Sequence, residues 1–210
     1  LHTAYRRQRQ MCIRDRLLEA YAVIAVLLTF FAPEIVKILA TKEYYEAIYI
    51  MPSIAAGVFF TSYANLYSNI AVYYKKAKYV MYPAIVAAGI NLVLNYIFIK
   101  LFGYMAAAYT TLFSYIVLAL LQAFWSNKVC RENKNTINDI YDNKKLFILA
   151  VATTVVSLFA IPLYSNTILR YIFIIVAITV ALIIINKILK SEIICLLYTS
   201  PSPRDGLLSR

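Results

Sequence analysis

A chain of 210 residues that is 62% hydrophobic and carries long uncharged runs cannot be a water-soluble domain of this size. Its net charge of +11 does not mark a nucleic-acid partner, because no basic patch interleaved with aromatic residues lies on one soluble face. The pattern fits apolar spans of about twenty residues joined by short charged loops, the arrangement of a helical membrane protein.

In chain order, the first stretch is foreign to that pattern. Arg6 to Asp15 (RRQRQMCIRD) resembles the in-frame translation of a transposase adapter used to prepare short-read sequencing libraries. Cys195 to Asp205 (CLLYTSPSPRD) resembles the reverse complement of the same mosaic end running into the opposite adapter arm. Leu1-His2 and Ser209-Arg210 match the outer primer, which leaves Thr3-Ala4-Tyr5 and Gly206-Leu207-Leu208 as sample barcodes. Residues 1–16 and 195–210 are therefore expected to be adapter-derived, non-native tails, a sequencing artefact flanking a fragment from 17 to 194. A natural basic tail and a natural Pro/Ser tail are the alternative. Excluding both stretches removes seven arginines and two aspartates and lowers the net charge from +11 to +6. His2, Cys12 and Cys195 go too, leaving Cys130 as a loop thiol. No His/Cys metal cluster, Cys-x-x-Cys pair or Ser-His-Asp triad can then be built, and no cofactor is expected.

Six spans follow, predicting an all-α integral membrane protein. The first covers 18–39, is interrupted by Pro33, and carries Glu34 and Lys37 near its far end. The second, 47–74, is long enough to tilt. The third (82–101) and fourth (105–127) fold back on each other at Gly103 as a hairpin. Ala106, Ala107 and their neighbours open the fourth, where small residues allow close helix approach. The fifth (146–163) and sixth (168–189) are rich in Ile and Val. They are too continuous, and too poor in turn residues, for strands of a soluble sheet.

The loops set an orientation. Lys75, Lys76 and Lys78, then Lys128, Arg131, Lys134, Lys144 and Lys145, then Lys187 and Lys190 fall on one side. Lys42, Lys100, Arg170 and Lys37 fall on the other. The alternation places basic loops 75–78 and 128–145 in the cytoplasm. Tyr44, Tyr45 and Tyr49 near one interface, and Tyr73, Tyr74, Tyr79 and Tyr82 near the other, read as aromatic belts at headgroup depth.

Polar residues inside spans carry the functional signal. Thr61, Asn65 and Asn69 recur every four residues along the second span, with Ser68 beside them. Asn91 and Asn95 share a face of the third, and Thr110, Thr111 and Ser114 lie on the fourth. Two readings stand for each set: interhelical hydrogen bonds, or a hydrophilic stripe that solvates a passing sugar. Glu34 and Lys37, three apart on a helix, can pair across one turn. They read either as a snorkelling interfacial pair or as a gate, with Glu34 the ion-coupling carboxylate.

Phe31-Ala32-Pro33-Glu34-Ile35-Val36-Lys37-Ile38-Leu39, followed by Tyr45 and Ala47, resembles the "aPeiv-x-ll … y-x-x-A" stretch of bacterial polysaccharide flippases. Asn91-Leu92-Val93-Leu94-Asn95-Tyr96-Ile97, then Gly103 and Ala106-Ala107-Ala108, is similar to their "N-x-x-LN-x-x-x-I … G-x-x-GAA-x-x-T" hairpin. Thr111 and Ser114 match Thr and Ser of that pattern, while Ala106 stands where the family often has Gly. The likeness covers about 17 to 128 and extends to the superfamily of multidrug, oligosaccharidyl-lipid and polysaccharide exporters. It implies most of the second bundle of a carrier with twelve to fourteen helices in the bacterial cytoplasmic (inner) membrane. Such a carrier flips undecaprenyl-diphosphate-linked oligosaccharide for O-antigen, lipopolysaccharide, capsule or exopolysaccharide synthesis. Its implied partners are the bilayer, the lipid-linked substrate, the missing N-terminal bundle and polysaccharide assembly proteins.

A multidrug-type cation-coupled exporter is the alternative within that fold, and a membrane enzyme of polysaccharide polymerisation the alternative outside it. Against an enzyme stand the short outer loops and the lack of an Arg/His/Asp constellation for glycosyl transfer. No catalytic residue is assigned.

Overall fold

The computed structural model describes residues 17–133 and 143–199, with side chains described over 17–133 and 144–186. Stretch 1–16, residues 200–210 and Lys134 lie outside the described residues, and so do the side chains of Lys187 and Lys190. The elements in order are α1 (Leu17–Phe30), α2 (Ala32–Leu39), a 3-10 helix η1 (Lys42–Tyr49), α3 (Met51–Tyr73), α4 (Lys78–Phe102), α5 (Ala106–Glu132), α6 (Asn143–Leu163) and α7 (Thr167–Thr199). Every regular element among the described residues is helical, as expected for a chain that must satisfy its backbone within each span.

Four helices are long and apolar enough to cross a membrane, and six spans result if each of two bent pairs is one crossing. The pairs are α1–α2, bent by 63°, and η1–α3, bent by 53°. Each break has a proline beside it, Pro33 in the first turn of α2 and Pro52 in the first turn of α3.

Helix α3 is the hub. It packs on α5 and α6, while α5 also carries α4. Phe59 and Tyr67 are almost wholly buried along α3, and Leu18, Ala22 and Ala25 of α1 join the same core. Gly57 lets α3 and α5 approach closely: a Cβ there would stand 3.0 Å from the Tyr115 ring. Ser126 of α5 donates to the Tyr67 carbonyl at 2.6 Å, a second tie between the same two helices. A smaller cluster of Phe30, Ala160, Leu163 and Ile174 joins α1, α6 and α7. Helix α4 forms an edge, with only 6% of its apolar window buried against 33% for α5.

Gly103 turns the α4–α5 hairpin at φ 79°, ψ −175°, a region that essentially only glycine occupies. Three features differ from the sequence reading. Helix α4 starts at Lys78, ahead of Pro83, so that the proline lies inside it. The reason is a donor on another helix: Pro83 has no N–H for the Tyr79 carbonyl, and the buried Gln122 side chain of α5 donates to that oxygen instead, at 3.3 Å. Helix α5 runs past Lys128 to Glu132, because Val129 and Cys130 are fully buried in the main core and Asn133 caps the end by donating to the Val129 carbonyl at 2.8 Å. Cys130 is thus a core thiol rather than a loop residue. Tyr79, assigned above to an aromatic belt, is buried against Trp125 with ring centroids 5.2 Å apart.

Candidate functional site

Pro33 organises the first site. Its ring leaves the Thr29 carbonyl, four residues back, without an intrahelical donor, and the Tyr164 hydroxyl from the α6–α7 turn donates to that oxygen at 2.6 Å. Thr29 is wholly buried, so this bond fills an otherwise orphaned acceptor. Burial raises the Tyr164 phenol above its ordinary value, which keeps it protonated and able to donate. The break in α1–α2 is thereby fastened to the turn that opens α7.

That turn delivers a cation. Asn166 caps α7, its side-chain oxygen accepting from the Leu169 N–H at 3.3 Å. One residue further on, Arg170 is only 4% exposed and ion-pairs through Nη2 with Glu34 Oε1. The Tyr171 hydroxyl donates to the same carboxylate oxygen at 3.1 Å. Glu34 Oε2 and Arg170 Nε are buried with no hydrogen-bond partner among the described residues. Glu34 therefore pairs across the bundle with Arg170, not along its own helix with Lys37, which is exposed. The physical reason is reach: the 63° bend turns the first residues of α2 toward α7.

Arg170 is the residue that sequence reasoning missed, having been counted only as a loop charge. The signal was present, since an ionisable residue inside an apolar run is a functional candidate by default.

The second site is the hairpin. Asn95 Nδ2 donates to Asn91 Oδ1 at 2.9 Å, and Asn91 Nδ2 donates to Thr111 Oγ1 at 3.2 Å. The Thr110 hydroxyl reaches Asn95 Oδ1 and the carbonyls of Ala106 and Ala107, and its one proton serves one of them at a time. Ser114 is buried and donates to the Thr110 carbonyl at 2.9 Å. The two asparagines are thus drawn into a bonded seam between α4 and α5.

On α3 the polar residues separate. Thr61 is half-buried and bonds the Gly57 carbonyl at 3.1 Å, whereas Asn65 and Asn69 are exposed on the face that also carries Ile54 and Val58. Ser68 donates to the Asn65 carbonyl at 2.9 Å.

The two ends of the bundle differ chemically. At the Glu34 end, Tyr104 donates to Glu46 at 3.0 Å and Tyr109 to the Tyr49 carbonyl at 3.2 Å, holding η1 against the start of α5. At the other end Lys76 ion-pairs with Glu132, which also accepts from the Tyr79 hydroxyl at 3.4 Å.

An uncharacterised membrane protein of Methanocaldococcus jannaschii is 26% identical to the chain over 151 residues, covering 70% of this chain and 28% of the relative. The chain thus spans less than a third of the length of the curated relative it matches. No solved structure matches it. Residues 17–97, from the start of α1 to most of the way along α4, match the MatE family, and the chain is a multi-pass helical membrane protein.

Proposed function

We propose that the chain is most of the second bundle of a flippase that moves undecaprenyl-diphosphate-linked oligosaccharide across the cytoplasmic membrane by alternating access. The observation that carries this reading is the MatE match over 17–97, which coincides with both bent spans and the asparagine-bearing helix α4. In this reading the basic segments 75–78 and 128–145, helix ends included, face the cytoplasm, and the Glu34–Arg170 end faces outward. Asn65 and Asn69, with Thr61 behind them, hydrate the sugar as it passes. Asn91, Asn95 and Ser114 keep the hairpin closed beside that route. The Glu34–Arg170 pair closes the outer end, and opening draws α2 from α7. The rest of the cavity wall comes from the missing helices.

One observation favours a cation-coupled multidrug exporter as a second reading: Glu34 Oε2 is buried and has no hydrogen-bond partner among the described residues. Both readings are tested with the full-length gene product in a strain deleted for its lipid-linked-oligosaccharide flippase. Restored surface polysaccharide is expected. Absent polysaccharide together with reduced accumulation of a cationic dye would replace the flippase reading by the exporter. If Glu34→Gln leaves transport unchanged, Glu34 has no coupling role. Residues 17–194 alone are expected to transport nothing, and polysaccharide restored by that segment alone would refute the half-bundle assignment.

A further inference from the structure

The end of the bundle away from Glu34 carries a cluster that the transport reading does not use. Helix α3 stops in a Schellman motif: Lys76 N–H donates to the Ala71 carbonyl at 2.8 Å and Lys75 N–H to the Val72 carbonyl at 2.9 Å. The residue between the cap and Lys76 must then adopt a left-handed conformation, a place that glycine fills without strain. Here it is Lys75, at φ 55°, and it is the sole non-glycine with positive φ among the described residues. A cation thus occupies a position where backbone energetics favour the residue with no side chain.

Other cations converge on the same spot over an aromatic floor. Lys78 Nζ stands 5.2 Å from the Tyr79 ring centroid, and Lys128 Nζ stands 5.0 Å from that of Trp125. The two rings pack together at 5.2 Å. Lys76 ion-pairs with Glu132, whose charge also attracts Lys128, and Lys75, Lys78, Lys128 and Arg131 are exposed. Leu146 of α6 joins the core that holds Val129 and Cys130, so α6 begins at this end too. It begins with Lys144-Lys145 and has no acid in its first turn, a sign of charge opposite to the one a helix N-terminus favours.

A partly exposed tryptophan such as Trp125 settles at headgroup depth, and clustered lysines beside a span attract acidic headgroups. We infer that the α3–α4 turn and the last turns of α5 form a docking site for the phosphate headgroup of an anionic phospholipid. Lys75, Lys78 and Lys128 embrace the phosphate, and Trp125, packed on the buried Tyr79 ring, sets its depth. The Lys76–Glu132 pair fixes the turn against α5 so that the three exposed lysines keep their spacing.

Trp125 is the chain's one tryptophan, and it lies inside the site, so its fluorescence reports occupancy directly. The purified full chain is reconstituted into phosphatidylcholine vesicles doped with a small, equal mole fraction of brominated phosphatidylglycerol or brominated phosphatidylcholine. Quenching by the brominated anionic lipid is expected to exceed that by the zwitterionic one at least about twofold, with Lys78→Gln and Lys128→Gln bringing the ratio toward one. Lys75→Gly relieves the left-handed strain while removing a charge, so it is expected to raise stability and lower the lipid preference together. Equal quenching by the two lipids would overturn the assignment. So would a preference that survives all three substitutions in folded protein. Loss of the preference on adding inorganic phosphate, but not chloride at equal ionic strength, would make free phosphate the ligand and overturn the lipid assignment.

Discussion

The bond between Tyr164 and Thr29 makes a quantitative test of how a proline break is stabilised. Tyr164→Phe removes one hydroxyl and leaves the ring in place beside Tyr49, whose centroid is 6.2 Å away. The Thr29 carbonyl then has no donor, because Pro33 supplies none and Thr29 is wholly buried. An average interhelical hydrogen bond in a membrane protein contributes about 0.6 kcal/mol, whereas an orphaned buried acceptor costs about 1–3 kcal/mol. The higher range is expected here. In a Pro33→Ala background the restored N–H at 33 can bond Thr29, so Tyr164→Phe should cost no more than about 0.6 kcal/mol. The coupling in the double-mutant cycle is therefore at least about 0.4–2.4 kcal/mol. The assay is unfolding of the full chain by sodium dodecyl sulfate in mixed micelles, followed by far-ultraviolet circular dichroism. Equal costs of Tyr164→Phe in the two backgrounds would refute the reasoning.

The same assay reads three further substitutions. Gln122→Leu strips the donor from the Tyr79 carbonyl and should cost about 1–3 kcal/mol, most of it recovered with Pro83→Ala; failure of that rescue would detach Gln122 from the proline. Glu34→Met leaves the nearly buried Arg170 without its carboxylate and should destabilise by about 3 kcal/mol, while the Glu34→Met, Arg170→Met double variant should recover most of the loss. A double variant as unstable as the single would show that the loss comes from the missing carboxylate contacts and not from a stranded guanidinium. Gly103→Ala forces a side chain into the hairpin's glycine conformation and should cost about 1–3 kcal/mol, although nothing stands within 4 Å of the new methyl; a neutral result would mean that the turn can rearrange freely.

Much of the bundle could be read from residues alone, because a lipid environment leaves few options. Each crossing needs about twenty apolar residues, so the breaks at Pro33, Gly103 and Tyr164–Asn166 could be placed without coordinates. The partition of the loops between two ends followed from the same count. What failed was long-range pairing. Glu34 has a nearby cation in Lys37, and local spacing favoured it; the actual partner is 136 residues away and is selected by the bend between α1 and α2. The start of α4 was misplaced for a related reason. Pro83 reads locally as a helix opening, and only Gln122, on another helix, makes an interior proline tolerable. For Asn91 and Asn95 the shared face was legible, but the bonds to Thr110 and Thr111 depend on the hairpin's register. Asn65 and Asn69 have the same spacing as that pair and none of its burial, a difference the pattern alone could not contain.

The two prolines with outside donors also constrain the order in which such a fold can acquire its parts. A tyrosine at 164 or a glutamine at 122 is harmless while position 33 or 83 still has its own N–H, because the extra donor then merely shares an occupied carbonyl. A proline arriving first would strand a buried oxygen. Once both members are present, the donor cannot be lost without stranding the carbonyl, whereas the proline can, because its replacement restores the N–H. The easy order of gain is therefore donor first and kink second, and the easy order of loss is the reverse.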